Sequence, residues 1–276
     1  MRFNITRRRF LTLLGLSLSL PFIDALIVEP GFIVVKSEVN VSLKNIPEEL
    51  SGFCIAHISN LHFGSSNNIV YGNAVSIVKS IKPNVIAITG DIVSKSEAEE
   101  ESLKFIEEIS KIAPVFIVWG NWDHWSLGST LKEFKGEVES LGEVRVLINE
   151  NIELEKGFYL VGVDDPYIGY DDLSKALNGT FGIRVLLAHS PQIIDRAKGN
   201  TDFVLSGHTH GGQIVLPLVG PIFVPLPKKF RNYVSGLYKV GNTTMYVSKG
   251  IGTSILPIRF NCPPEIAVFM FSQTLY

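Results

Sequence analysis

The stretch DFVLSGHTHGGQ (residues 202–213) sets the reading of the whole chain. Its first half is a short apolar run, the pattern of a strand buried on both faces. Its second half places His208 and His210 directly after that strand, among glycines that let the chain turn sharply. Five similar runs lie upstream: FCIAHIS (53–59), NVIAIT (84–89), VFIVW (115–119), FYLVGV (158–163) and RVLLA (184–188). Segments of helical period separate them. Residues 68–81 carry apolar positions at 70, 74, 77, 78 and 81, and 96–113 open on clustered glutamates, which suit a helix N-terminus. Segments 129–141, 171–177 and 190–197 complete the set, the last opening with Ser190-Pro191. Beyond residue 211, a proline-rich apolar stretch (214–226) reads as a hairpin on a second sheet or as an apolar rim. It leads to SGLYKVG, TTMYVSKG and EIAVFMF, which read as antiparallel strands with turns at Gly241-Asn242 and Pro263-Pro264. Alternation followed by a β-rich tail predicts an α/β fold of mixed sheets with helices outside.

Five of the buried runs end in residues fit to hold a metal. FCIAHIS is followed by Asn60-Leu61-His62, NVIAIT by Gly90-Asp91, VFIVW by Gly120-Asn121, RVLLA by His189, and DFVLS by Gly207-His208-Thr209-His210. Ligands of open α/β sheets bind outside the carboxyl ends of the strands, so all these side chains are expected at one edge. They are too many for one tetrahedral ion and fit two ions of higher coordination number. Nitrogen and oxygen donors without sulfur suit Mn, Fe or Zn and argue against Ca or Mg. A lone strand-end histidine is ordinarily a satisfied polar residue, and His57, inside its strand and on the face opposite Asn60, is read that way. Four histidines with a bare aspartate between them are poor packing material, because buried polar groups without partners cost free energy.

In this order, GD (90–91), GN (120–121), AHSP (188–191) and GHTHGGQ (207–213) resemble the calcineurin-like metallophosphoesterases, and within them the exported phosphodiesterase branch typified by YkuE and YaeI. HISNLHFG (57–64), VGVDDP (161–166), YVSKGIGTS (246–254) and RFNCPPEI (259–266) extend the likeness from about residue 30 to the end. The resemblance implies a four-layer α-β-β-α sandwich of two mixed β-sheets flanked by helices, and two divalent metal ions. Asn60, His62, Asp91 and His210 would hold the first ion. Asp91, Asn121, His189 and His208 would hold the second, with Asp91 as bridge. The implied reaction is hydrolysis of a phosphodiester or pyrophosphate by water activated between the ions, with Asp91, Asn121 and His124 as catalytic candidates. Some relatives in the branch are associated with lipid precursors such as UDP-diacylglucosamine, which brings a lipid-linked phosphoester into view as substrate.

Two positions depart from the family pattern. The usual D-x-H is Asn60-Leu61-His62 here, so a neutral amide replaces a carboxylate. The usual G-N-H-D is Gly120-Asn121-Trp122-Asp123, so a tryptophan, which cannot transfer a proton, replaces the histidine that assists the leaving group. His124 is the candidate replacement, reaching in from the same loop. Trp119, Trp122 and Trp125 are either local packing or an aromatic wall for substrate. These losses keep open a second reading, a degenerate member that binds a metal or ligand with little turnover. Arg259 is expected in a structural salt bridge.

The N-terminus reads as a targeting segment. MRFNITRRR carries four arginines and no acid, and the apolar or small run FLTLLGLSLSLPFI (10–23) follows it. TRRRFLT (6–12) resembles a twin-arginine export signal, with Arg7 and Arg8 as the pair. Residues 1–28 are thus a signal or N-terminal membrane anchor. Residues 29–276 form one metallophosphoesterase domain on the far side of the cytoplasmic membrane, with the export machinery as partner and membrane contact through the N-terminal segment. Folding before export disfavours a Cys54–Cys262 disulfide. The chain of 276 residues is 46% hydrophobic and 19% charged, which excludes a disordered chain. Its net charge of −2 excludes nucleic-acid binding by bulk charge. Replacing both Arg7 and Arg8 by lysine is expected to stop export, read by cell fractionation. Unchanged export would leave a general signal-anchor instead.

Overall fold

The computed structural model describes residues 6–43, 46–47 and 50–273, so the first five residues of the basic N-terminal run lie outside it. Six strands make the first sheet: β1 (Val35–Leu43), β2 (Cys54–Ile58), β3 (Val85–Thr89), β4 (Val115–Val118), β5 (Val144–Val146) and β14 (Glu265–Gln273), in the order β1-β14-β2-β3-β4-β5. The second holds β6 (Glu150–Glu155), β7 (Phe158–Gly162), β8 (Ile183–Leu187), β9 (Phe203–Ser206), β12 (Gly236–Val240) and β13 (Thr243–Val247), in the order β12-β13-β9-β8-β7-β6. A short ribbon pairs β10 (Val215–Leu216) with β11 (Gly220–Pro221). The helices are α1 (Arg7–Ile23), α2 (Glu29–Phe32), α3 (Asn68–Ile81), α4 (Glu99–Ser110), α5 (Asn121–Leu127), α6 (Leu131–Glu139), α7 (Leu173–Ala176) and α8 (Ile194–Ala197).

Period decides which layer each face meets. Along β2, β3 and β4, one set of alternate residues (Ala56, Ile58, Ile86, Ile88, Val115, Ile117) packs under α3, α4 and α6 through Val70, Ala74, Ile106, Ile109 and Val138. The other set (Ile55, Ala87, Phe116, Val118) faces Leu160, Val185, Leu187, Phe203 and Leu205 of the second sheet. The outer face of that sheet, Val161, Leu186 and Val204, is covered by Ala176, Ile194 and Ala197. The result is the expected α-β-β-α sandwich. Asn67 caps α3 through the Ile69 N–H, and Lys82 ends it in the left-handed region before Pro83.

The β-rich tail differs from its sequence reading. β12 and β13 form the antiparallel hairpin expected around Gly241-Asn242, but β14 leaves them for the first sheet, parallel to β1 and antiparallel to β2. The reason is burial on both faces. Phe269 meets Phe203, Tyr246 and His57 between the sheets, which a strand at the edge of the hairpin could not do. β1 went unread because its half-exposed VKSEVNVSL carries too little apolar signal. Among the described residues no helix is long and apolar enough to cross a membrane. α1 exposes Phe10, Leu11, Leu20, Phe22 and Ile23, whereas Ala25, Glu29, Pro30 and Gly31 are buried in the body of the domain.

Candidate metal centre

The carboxyl ends of β2, β3, β4, β8 and β9 meet, and the backbone there is bent hard. Asn60, His62, Asp91, His208 and His210 all have φ between 49° and 68°, the left-handed region that side chains other than glycine rarely adopt. Interlocking hydrogen bonds impose it. The Asn60 N–H donates to Gly90 O at 3.0 Å, the His62 N–H to Asp91 O at 2.9 Å, and the Gly207 N–H to His189 O at 2.8 Å. The Asp123 carboxylate gathers the N–H groups of Asp91, Ile92, Val93 and Gly120 at 2.8–3.0 Å, clamping the turn after β3 to the start of α5. Gly120 and Gly207 matter for closeness rather than for turning. A Cβ would lie 2.4 Å from Asp91 Oδ1 at the first and 1.7 Å from Ser59 Oγ at the second.

Asp91 Oδ2 lies 3.4 Å from His62 Nε2 and 3.2 Å from His189 Nε2. His62 Nε2 is 2.9 Å from His210 Nε2, and His189 Nε2 is 3.0 Å from His208 Nδ1. Two trios result, His62–Asp91–His210 and Asp91–His189–His208, each with donor atoms within 4.8 Å of one another. Each ring's other nitrogen faces an outer partner: Ser94 Oγ for His62, Thr89 O for His189, Gly252 O for His210 and Pro225 O for His208. A ring N–H donated outward leaves a bare lone pair facing inward, the second-layer pattern of metal-binding histidines. The buried Asn121 Oδ1 also has no hydrogen-bond partner. Four imidazole nitrogens crowded on one carboxylate, with an orphan oxygen beside them, fit cations that displace the proton held there. The centre opens on a cavity of about 500 Å³ that Asp91, Asn121, His208 and His210 line together with the aromatic Trp122, Trp125 and Tyr167 and the apolar Ile214, Ile222, Phe223, Ile255 and Leu256.

A family model described as calcineurin-like phosphoesterase matches residues 54–212, which contain every residue of both trios. The chain belongs to the calcineurin-like phosphoesterases. Membership makes it a phosphoester hydrolase. It is 32% identical over 265 residues to the uncharacterized metallophosphoesterase YkuE of Bacillus subtilis, across 90% of this chain and 88% of that one. It is 29% identical over 277 residues to the phosphodiesterase YaeI of Escherichia coli, across 96% and 98%. The solved structure of TT1561 from Thermus thermophilus shares the fold at a TM-score of 0.50 and 14% identity, across 73% of this chain and 91% of that one.

Within this phosphoesterase centre the sequence candidates part company. His62, Asp91, His189, His208 and His210 converge, and Asn121 lines the same cavity. Asn60 is present but engaged: its Oδ1 accepts the His208 N–H and the Ser59 hydroxyl, each at 3.0 Å, and its Nδ2 is buried without a partner. His124 is turned away. It sits in helix α5 rather than a loop, where residues two apart point about 200° apart, so it cannot follow Trp122 into the cavity. Its Nε2 pairs instead with Asp164 Oδ1 at 2.7 Å. Trp119 packs on Phe134, and Trp122 and Trp125 form the aromatic wall. His57 bonds Thr89 Oγ1 at 2.7 Å between the sheets, and burial lowers it to about 3. Cys54 and Cys262 are buried free thiols. Among the described residues Arg259 makes no salt bridge: its guanidinium donates to carbonyls of Lys249, Gly250, Gly252 and Cys262. Sequence reasoning passed over Asp123, although it stands in the Gly-Asn-Trp-Asp run, and Tyr167, whose ring lies 4.3 Å from that of His208.

Charge in the centre is concentrated. Burial lowers His62 to about 4 and His208 to about 3. Burial also acts to lower His189, but the Asp91 carboxylate outweighs it and raises that ring to about 9. Burial acts to raise Asp91, and the charge of His189 overcomes it, holding the carboxyl well below its usual range. Without metal, the Asp91–His189 pair therefore carries a proton up to about pH 9, and a cation must displace it. Mn²⁺ affinity is expected to rise with pH through the neutral range, with proton release on binding, read by titration calorimetry in buffers of different ionisation enthalpy. Asp91→Ala is expected to lose both metal equivalents and His210→Ala chiefly the first, read by metal analysis of the purified protein. Two equivalents retained by Asp91→Ala would refute a shared bridge.

Proposed function

We propose that the chain is a metal-dependent phosphodiesterase with a dinuclear Mn, Fe or Zn centre, acting at the extracytoplasmic face of the cell membrane on a phosphoester with an apolar, lipid-like arm. The observation that carries this reading is the shared Asp91 Oδ2, common to both trios, on a residue that lines the aromatic and apolar cavity. Two divalent ions held there would supply an activated water and electrostatic stabilisation of the in-line transition state. The protein's own part is to fix the ligands. Asp123 holds the Asp91 backbone, the Trp122 N–H donates to Asp91 Oδ1 at 2.9 Å, and the carbonyls of Thr89, Pro225 and Gly252 fix the tautomers of His189, His208 and His210. Trp122 has no proton to transfer, and Asp164 engages His124, so good leaving groups are favoured.

The apolar arm is supported by the cavity mouth. Ile222, Phe223, Ile255 and Leu256 are exposed and line the cavity, and the loop between β10 and β11 exposes Leu218 and Val219 next to Ile222 in sequence, apolar surface of the kind that marks an interaction site. The phosphodiesterase name of YaeI points the same way for the reaction. Export rests on the TRRRFLT run before the apolar segment, with the twin-arginine machinery as partner and α1 as the membrane contact.

Asn60→Asp tests the reading. Aspartate keeps the oxygen that accepts the His208 N–H and puts a second, anionic oxygen where the unpartnered Nδ2 now lies. A unit charge about 4 Å from another is worth ~4 kcal/mol at an effective dielectric of 20, and desolvation of the carboxylate offsets part of that. First-site Mn²⁺ affinity is expected to rise about tenfold or more, with a higher phosphodiesterase rate at limiting Mn²⁺ and little change at saturation. A variant that binds two equivalents of Mn²⁺ yet cleaves neither an activated aryl phosphodiester nor a lipid pyrophosphate would point to the ligand-binding alternative.

A further inference from the structure

The segment that leads out of α1 is bonded to the loop that holds the first metal site. The buried Glu29 carboxylate accepts the N–H groups of Asn261, at 2.8 Å, and Cys262, and Ala25 O accepts the Arg259 N–H at 2.9 Å. Arg259 is fully buried, with no ion-pair partner among the described residues. Its guanidinium gathers the carbonyls of Lys249 (2.9 Å), Gly250 (3.2 Å), Gly252 (2.6 Å) and Cys262 (3.0 Å). Those carbonyls belong to the frame around His210 and Asn60. Gly252 O faces His210 Nδ1 at 3.3 Å, the Gly252 N–H donates to Asn60 O at 2.7 Å, and Cys262 Sγ lies 3.3 Å from His210 O. The rings of the second site are held elsewhere, His189 by Thr89 O and His208 by Pro225 O.

We infer that Glu29 and Arg259 are positioning residues for the first metal site: they brace the 249–252 loop and Cys262 so that His210 presents Nε2 to the metal. The N-terminal segment is thereby a working part of the centre and not only an address. The physical case is one of alternatives. A buried guanidinium must find acceptors, and here it donates five hydrogen bonds to four carbonyls and so ties together the backbone of residues 249–252 and 262. A carboxylate from outside the catalytic strands in turn fixes the backbone on which that guanidinium is carried. Outer groups of this kind change metal affinity by about 10–100-fold when removed.

The inference rests on the metal centre proposed above, and one titration separates the two. Full-length wild type, Glu29→Ala, Glu29→Gln and Arg259→Lys are titrated with Mn²⁺ alone, and the two binding steps are resolved. Glu29→Ala and Arg259→Lys are expected to weaken the first site about tenfold and to leave the second within about twofold. Glu29→Gln, which keeps one acceptor oxygen, is expected to fall between Glu29→Ala and wild type. Should Glu29→Ala not yield folded protein by circular dichroism, Glu29→Gln and Arg259→Lys decide. A selective first-site loss supports the brace, and an unchanged first site, or equal loss at both sites, overturns it. Wild type that takes up none of Mn²⁺, Fe²⁺ or Zn²⁺, each titrated alone, overturns the metal centre itself, whereas normal wild-type binding beside unaltered variants overturns the brace alone.

Discussion

A single buried carboxylate organises this protein. Asp91 stands between His62 and His189 with one oxygen facing both, and its other oxygen accepts the Trp122 N–H. A charge so placed is tolerated only where the surroundings compensate for lost hydration. The compensation comes first from the protonated His189 and, with metal bound, from the cations. Everything near the site serves to keep that oxygen where both trios can share it.

The sheets provide the rigidity this requires. Left-handed backbone at five non-glycine positions of the site costs on the order of 1–3 kcal/mol each, so the bent turns persist only because the strands that carry them are fixed. β2, β3 and β4 are locked between the helical layer and the second sheet, with every residue of each strand buried. Asp123 completes the arrangement by satisfying four N–H groups that the sharp turns leave without partners in the sheet.

Around this centre the two departures from the family pattern have different physical weight. The Asn60 amide still holds the His208 backbone, so the frame survives and only a negative charge is missing. Trp122 changes the cavity more. It joins Trp125 in an aromatic wall, its ring edge-on to His62, and the proline-rich segment adds apolar side chains to the same cavity.

Much of this was legible in the sequence because it depends on local pattern. Continuous apolar runs ending in Gly-Asp, Gly-Asn or His announced both the buried parallel strands and the edge where their ligands meet, and α3 lies at residues 68–81 as its period required. What the sequence could not express is contact between distant segments. The hydropathy of EIAVFMF says that β14 is buried but not which sheet takes it, since strand pairing is set by the surface each sheet leaves uncovered. The direction of His124 depended on Asn121 opening a helix, a conformation stabilised by the Trp122 N–H donating to Asp91 and the Asp91 N–H donating to Asp123, contacts that span more than thirty residues of sequence. Arg259 reads as a partner for an acid, yet the tertiary structure surrounds it with carbonyls and gives Glu29 to the neighbouring backbone. Residue types determined which groups could bind a metal. Only the folded arrangement, by satisfying each buried donor and acceptor in three dimensions, decided which of them face it.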